Sequence, residues 1–200
     1  MLGPLKKQYH HGDLREALLS AAEAALTDLP LEAVSLREIA RRAGVSHAAP
    51  KHHFGTLGGL FAELAAMGFE RFVSELAMAA QRVTDTSPHV KMQAMTRAYL
   101  RFATSNPAVY GLMFGKRVEL EPSPRFAMAA VAAWSQLEND VAKIVGPQQA
   151  INGSLLVWST CHGIAMLMLE KRMPPHIDPH TAIEAVTRML IAGLRAEGAA

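Results

Sequence analysis

Between Ser35 and Phe54 the chain places Ser35, Arg37, Ser46, His47, Lys51, His52 and His53 around a single acid, Glu38, with Gly44 near the middle. Donors and cations of this kind on an exposed helix are what phosphate oxygens and base edges accept. Leu36, Ile39, Ala40 and Ala43 recur at helical spacing and predict a two-turn helix. Gly44 follows where the chain must turn, because glycine enters left-handed backbone at little cost. Val45 then fills the corner and Ser46 is placed to cap a second helix over about 47–53. Helix, glycine turn and second helix make a helix-turn-helix, the second helix of which docks in the DNA major groove. The N–H groups just after Ser35 and Ser46 suit phosphate oxygens. Pro50, about the fourth residue of that second helix, is expected to remove a helical hydrogen bond and fray the first turn. A helical hairpin with a solvated basic face has the same spacing, so the pattern alone leaves both readings open.

A second group of residues is apolar. Phe102, Tyr110, Met113, Phe114, Trp134, Trp158, Cys161, His162 and Met166 combine rings and adaptable thioethers, which line many ligand cavities and also fill ordinary cores. His162 lies on an otherwise apolar helix and needs a partner if buried, either a polar group of a ligand or a backbone carbonyl. Catalytic and metal chemistry find no support. Among His10, His11, His47, His52 and His53 no two stand four residues apart, the spacing of a helical zinc pair, and no second cluster completes four ligands. Cys161 and His162 are adjacent, so a helix points them about 100° apart. Neither a glycine-rich phosphate loop nor a Gly-x-Ser-x-Gly elbow is found. No catalytic residue, metal or cofactor is expected, and the chain does not read as an enzyme.

The elements that must position these residues follow from composition and punctuation. Two hundred residues, 50% hydrophobic and 19% charged, suffice for one or two domains with a true core. The formal charge of +2 and a pI near 8.8 permit nucleic acid as a partner without demanding it. The single cysteine suits a reducing cytoplasm. Met1 to Asp13 has no apolar stretch of the signal-peptide kind. Lys6, Lys7, Tyr9, His10 and His11 there suit a mobile tail or a basic arm lying along DNA. Ile151 to Leu169 is nearly long enough to span a membrane, but Asn152, Ser154, Ser159, Thr160 and His162 interrupt it, which predicts a buried helix and no membrane partner.

Ser87-Pro88, Asn106-Pro107, Ser123-Pro124 and Asp178-Pro179 pair a cap with a proline whose missing N–H costs nothing at a helix start. Asp13 with Glu16, Ser35 with Glu38 and Thr181 with Glu184 read as capping boxes. Helices are predicted over 13–27, 36–43, 47–53, 57–84, 88–105, 107–115, 124–145, 148–172 and 180–196. The fold class is therefore all-α, without internal repeats. Charge and histidine give way to apolar residues after residue 54, which suggests a helix-turn-helix unit over 9–56 and a second unit over 57–200. One recognition helix makes too few base contacts for specificity, so two copies are expected. Ile151, Leu155, Trp158, Ile164, Leu167 and Leu169 surround their helix, and Ile183, Val186, Leu190 and Gly193 give the last helix a matching face. From these, Ile164, Leu167, Ile183, Val186, Leu190 and Gly193 are the expected dimer seam. A helix buried wholly within one chain is the alternative.

Tyr9 to Arg15 and Val45 to Phe54 resemble the start and end of the N-terminal domain of the TetR family of transcriptional regulators. Trp158, His162 and Gly163, with Asn106 to Gly115 upstream, resemble the branch of that family with a Trp-His-Gly signature. The resemblance spans nearly the whole chain. It implies a cytoplasmic homodimer whose first three helices bind a palindromic double-stranded DNA operator and whose other helices hold a small-molecule effector, most commonly as a repressor. It carries Ser46, His47 and Ala48 to the bases or phosphates and His52 and His53 to the backbone, with Ser35, Arg37 and Thr56 at the same surface. Two positions depart from the family: Lys51 stands where tyrosine is usual, and Thr56-Leu57-Gly58-Gly59 stands where a lysine is usual. Lys51 supplies a point charge in place of an oriented hydroxyl. The rival reading is a helical interaction module that never touches DNA, and the steep salt dependence of phosphate binding would tell the two apart.

Overall fold

The computed structural model describes residues 11–115 and 119–198, so the tail carrying Lys6, Lys7, Tyr9 and His10 lies outside the described residues. All regular structure among the described residues is helical: α1 (His11–Asp28), α2 (Leu36–Ala43), α3 (Ala49–Phe54), α4 (Leu57–Gln81), α5 (Pro88–Ser105), α6 (Pro107–Phe114), α7 (Pro124–Val145), α8 (Ala150–Leu169) and α9 (Pro179–Gly198), with a 3-10 turn at Leu31–Ala33.

Most starts follow from their caps. Ser35, Thr56, Ser87 and Ser123 each accept a hydrogen bond from the backbone N–H three residues on. Of the expected capping boxes, that at Ser35 forms only its serine half, because the Glu38 carboxylate accepts from Arg41 and Arg42. Asp13 sits inside α1. Asp178 caps α9, its carboxylate accepting from the Thr181 N–H at 2.9 Å, while Glu184 pairs with Arg97 of α5. Asn106 makes no side-chain cap, and its amide donates back to the Phe102 carbonyl. Pro88, Pro107 and Pro124 open their helices as predicted.

Besides a small alanine cluster of Ala79, Ala94 and Ala98, two large hydrophobic cores form among the described residues. One gathers Leu18, Leu19 and Ala22 of α1, Ile39 of α2, Phe54 of α3 and Leu60, Phe61, Leu64 and Ala65 of α4. The other gathers Phe69 and Phe72 of α4 with residues of α5, α6, α7, α8 and α9. The 25 residues of α4 therefore serve both cores in succession. Gly68 lies between them, where a Cβ would stand 2.6 Å from Val109 and 2.8 Å from the Met113 sulfur, so side chains of α6 rest directly on the α4 backbone.

The expectation that α8 is a buried helix needs correction. By length and composition α8 could cross a membrane, but its Gly153, Val157, Cys161 and Ala165 face the core while Ile151, Leu155, Leu156 and Leu167 are 43–57% exposed. In α9, Ile183 and Leu190 of the expected dimer seam are buried in the same chain's core. Val186 is half-buried and Gly193 exposed, with open space where a Cβ would stand.

Candidate nucleic-acid interface and ligand cavity

The helix-turn-helix forms largely as its sequence dictates. Gly44 adopts φ 67°, and its N–H and that of Val45 close the turn onto the Arg41 and Ala40 carbonyls. Glu38 accepts from Arg41 and Arg42, and Arg42 also reaches Asp28 at 2.7 Å. Those arginines hold the Glu38 carboxyl down at about 2. Arg41 and Arg42 are thus engaged within the fold, whereas Arg37 is exposed and makes no ion pair among the described residues.

The second helix starts later than predicted. Ser46, His47 and Ala48 form a turn in which the Ala49 N–H donates to the Ser46 carbonyl, and α3 begins at Ala49 with no side-chain cap. Pro50 therefore falls in the first turn, where its missing N–H has no helical partner to lose. The expected cost of Pro50 is avoided by shortening the helix. Ser46, His47, Ala48, Lys51 and His52 are exposed along one edge, while Pro50 and Phe54 are buried beneath them. His53 is half-buried between His52 and Phe54, its ring 5.4 Å from that of His52 in an edge arrangement. Ser35 is exposed at the start of α2. Thr56, although exposed, is occupied: its hydroxyl donates to Glu121 at 2.6 Å and accepts from the Gly59 N–H at 3.0 Å.

The Gly58-Gly59 pair explains how Glu121 comes so close. A Cβ on Gly58 would stand 2.8 Å from the Glu119 carbonyl, and one on Gly59 would stand 2.3 Å from the Phe54 carbonyl and 3.2 Å from the Glu121 carboxylate. The segment before α7 is thereby seated on the first turn of α4, beside α3. A second connection runs through Glu63 of α4, which pairs with Arg15 of α1 and with Arg125 of α7, while Arg125 also binds Glu70. Burial opposes the charge on Glu63, but the two arginines outweigh it and hold its carboxyl below the usual range. Arg15 also lies 5.1 Å over the Phe54 ring, which joins α1, α3 and α4 at one point.

The apolar half contains a cavity of about 570 Å³ bounded by α4, α5, α6, α7 and α8. Of the nine residues expected there, Met113, Phe114, Trp134, Trp158 and Cys161 line it. Phe102, Tyr110, His162 and Met166 do not. Phe102 is buried against Phe72, and Met166 packs on the second core. Tyr110 and His162 stand behind the wall in a polar chain. The Tyr110 hydroxyl is 2.7 Å from His162 Nδ1 and 2.9 Å from the Tyr99 hydroxyl, so the partner of Nδ1 is a tyrosine and not a backbone carbonyl. Burial lowers the His162 imidazole and raises both phenols, Tyr110 to about 12. Burial also pushes the Cys161 thiol up to about 12, which leaves it an inert part of the wall. The lining residues not foreseen come mainly from α4 and α5, including Phe69, Phe72, Leu76, Met92, Met95 and Tyr99. Their helical periodicity is the periodicity of a core face, which spacing alone does not distinguish from a cavity wall.

Among the described residues no group of three or more His, Cys, Asp or Glu is arranged to hold a metal ion.

Residues 18–64 match the model for bacterial regulatory proteins of the tetR family, and residues 92–190 match the tetracyclin repressor-like C-terminal domain. No curated protein matches the sequence. A solved structure of a protein of unknown function from Rhodococcus sp. RHA1 is 30% identical, with 95% of this chain and 100% of that chain covered and a TM-score of 0.83. A bacterial regulatory protein in the tetR family from Rhodococcus RHA1 is 16% identical, with 90% and 96% covered and a TM-score of 0.67. ActR from Streptomyces coelicolor, without ligand, is likewise 16% identical, with 100% and 99% covered and a TM-score of 0.67.

Proposed function

The chain belongs to the TetR family of bacterial regulatory proteins, and from that premise we propose that it is a cytoplasmic homodimeric repressor, released from a palindromic operator by a small, mostly apolar effector. The observation that carries this reading is α4, a single helix whose first turn abuts α3 and whose later turns wall the cavity. Residues 9–56 are read as the DNA-binding unit and 57–200 as the effector-binding and dimerisation unit, with the N-terminal half of α4 packed into the former. Trp158, His162 and Gly163 support placing the chain in the Trp-His-Gly branch.

In this mechanism Ser46, His47 and Ala48 approach base edges or phosphates, and Lys51, His52 and His53 take the flanking backbone. Arg37 and the N–H groups behind Ser35 add phosphate contacts. The exposed apolar side of α8, with Leu167 and half-buried Ile164, joins Val186 and Gly193 of α9 against the second copy. Dimerisation sets the separation of the two α3 helices, because half-sites lie about 34–36 Å apart on one face of the duplex. An effector seated against α4 and α7 changes that separation through Glu121 on Thr56 and through Arg125 and Glu63 on Arg15. Reversing a 99:1 preference for the DNA-competent form requires about 5.5 kcal/mol of differential binding. Nothing in this scheme is catalytic: the chain is a regulator and not an enzyme.

A mobility-shift titration on duplex DNA at several salt concentrations tests the reading. Binding that weakens steeply with salt, by a species of twice the chain mass, is expected. Absence of any duplex binding at low salt would leave the rival helical interaction module.

A further inference from the structure

We propose that the cavity takes an apolar amphiphile with an anionic head, its tail among the rings and its carboxylate or comparable acceptor held at the rim by Lys91. This inference rests on the reading of the cavity as an effector site and specifies which chemistry that site selects. The polar atoms in its depth are already committed. The Tyr99 hydroxyl is bonded to Tyr110, and the Thr96 hydroxyl donates to the Met92 carbonyl at 3.0 Å. Tyr99, Thr96 and Cys161 are buried, as are Phe72 and Met92 beside them, so the inner end offers surface for a tail and no free partner for a head group.

The rim differs. Gln81, Gln136 and Lys143 are exposed there, and Lys91 is half-exposed. Asp140 is the one carboxylate among the described lining residues, and both its oxygens are used, Oδ1 by Lys143 at 2.6 Å and Oδ2 by Gln136 at 2.8 Å. A cationic head would therefore find no carboxylate that is not already paired or hydrogen-bonded. Lys91 forms no ion pair among the described residues; Asp85 feels its charge only at longer range. The rim thus carries one lysine without an ion-pair partner beside an apolar interior, and a charge-assisted hydrogen bond at that place favours an anion over a neutral group of the same size.

The test holds the tail constant and varies the head. The full chain is titrated with decanoate, 1-decanol and decylammonium, each below its micelle threshold, while the emission of Trp134 and Trp158 is followed. These are the protein's two tryptophans, and both line the cavity, 6.0 Å apart ring to ring. Decanoate is expected to bind about tenfold more tightly than decanol, with decylammonium weakest. Lys91→Met should bring decanoate down to decanol without moving decanol, and Lys91→Glu should invert the order so that decylammonium leads. Equal affinities for all three heads, or a carboxylate preference that survives Lys91→Met, would overturn the head-group assignment while leaving the cavity as an effector site. Tryptophan emission indifferent to all three would overturn both.

Discussion

The edge of α3 and the wall of the cavity obey opposite rules, and the contrast shows where sequence spacing is informative. On α3 the groups proposed to contact DNA are polar and exposed, and their chemistry differs from anything a core needs. Buried Pro50 and Phe54 and exposed Ser46, Lys51 and His52 therefore separate cleanly. In the cavity the lining groups are mainly Phe, Met, Leu and Tyr, the same alphabet that fills a core. What makes a cavity is missing volume between five helices, and no residue type encodes that.

The contrast can be broken most severely at the proposed dimer seam, because on the proposed reading α3 needs its twin while the cavity does not. Leu156→Arg, on the exposed side of α8, should leave the fold intact, give a monomer in sedimentation, and weaken operator binding several hundred-fold, since half of the ~4–10 kcal/mol of specificity is lost with one half-site. Decanol should still quench the tryptophans. A dimer that survives the arginine would place the seam elsewhere.

Next comes the junction of the two regions. Gly59→Ala puts a Cβ 2.3 Å from the Phe54 carbonyl, so either α3 or the start of α4 must shift. A loss of about 2–3 kcal/mol in urea unfolding is expected, with operator affinity falling more than cavity affinity. Equal losses at both sites would mean that α4 transmits no distinction between them.

Lys51→Ala sharpens the comparison with less damage. It should weaken binding to all duplexes about equally and lower the salt slope by about one per protomer, the mark of a phosphate contact. A change confined to one base position would instead assign Lys51 to base readout.

The smallest effect is a pH dependence belonging to the cavity side. Burial lowers His162, and burial with Arg195 lowers His89. Between those lowered values and the ordinary ~6.5 of histidine the unfolded chain binds more protons than the folded one, so stability is complete above about pH 7 and declines as the pH falls. His162→Gln should shallow that decline in unfolding followed from pH 8 to pH 5, with His89 supplying the remainder. An unchanged slope would show that His162 does not titrate across folding.

Particular residues show why some elements were readable and others were not. Ser35 and Gly44 bound α2 because a cap and a left-handed turn are local devices. The start of α3 is not legible at Ser46, which has the composition of a cap, because Pro50 is better accommodated when the helix begins at Ala49. His162 was recognised as needing a partner, but Tyr99 and Tyr110 reach it from α5 and α6, across separations of 63 and 52 residues. The Thr56–Glu121 contact spans 65 residues and was invisible for the same reason, although the unusual Gly58-Gly59 marked the space it uses. Ile183 and Leu190 have the spacing of a dimer face, and a face turned inward looks identical in sequence.

Selection of bound sites from a random duplex pool by the full-length protein tests the central claim most directly, since it reads DNA recognition, symmetry and half-site spacing together. The account predicts an enriched inverted repeat with half-site centres about 10–10.5 base pairs apart, or a multiple of that spacing. Enrichment of a single asymmetric site, or of none, would contradict it.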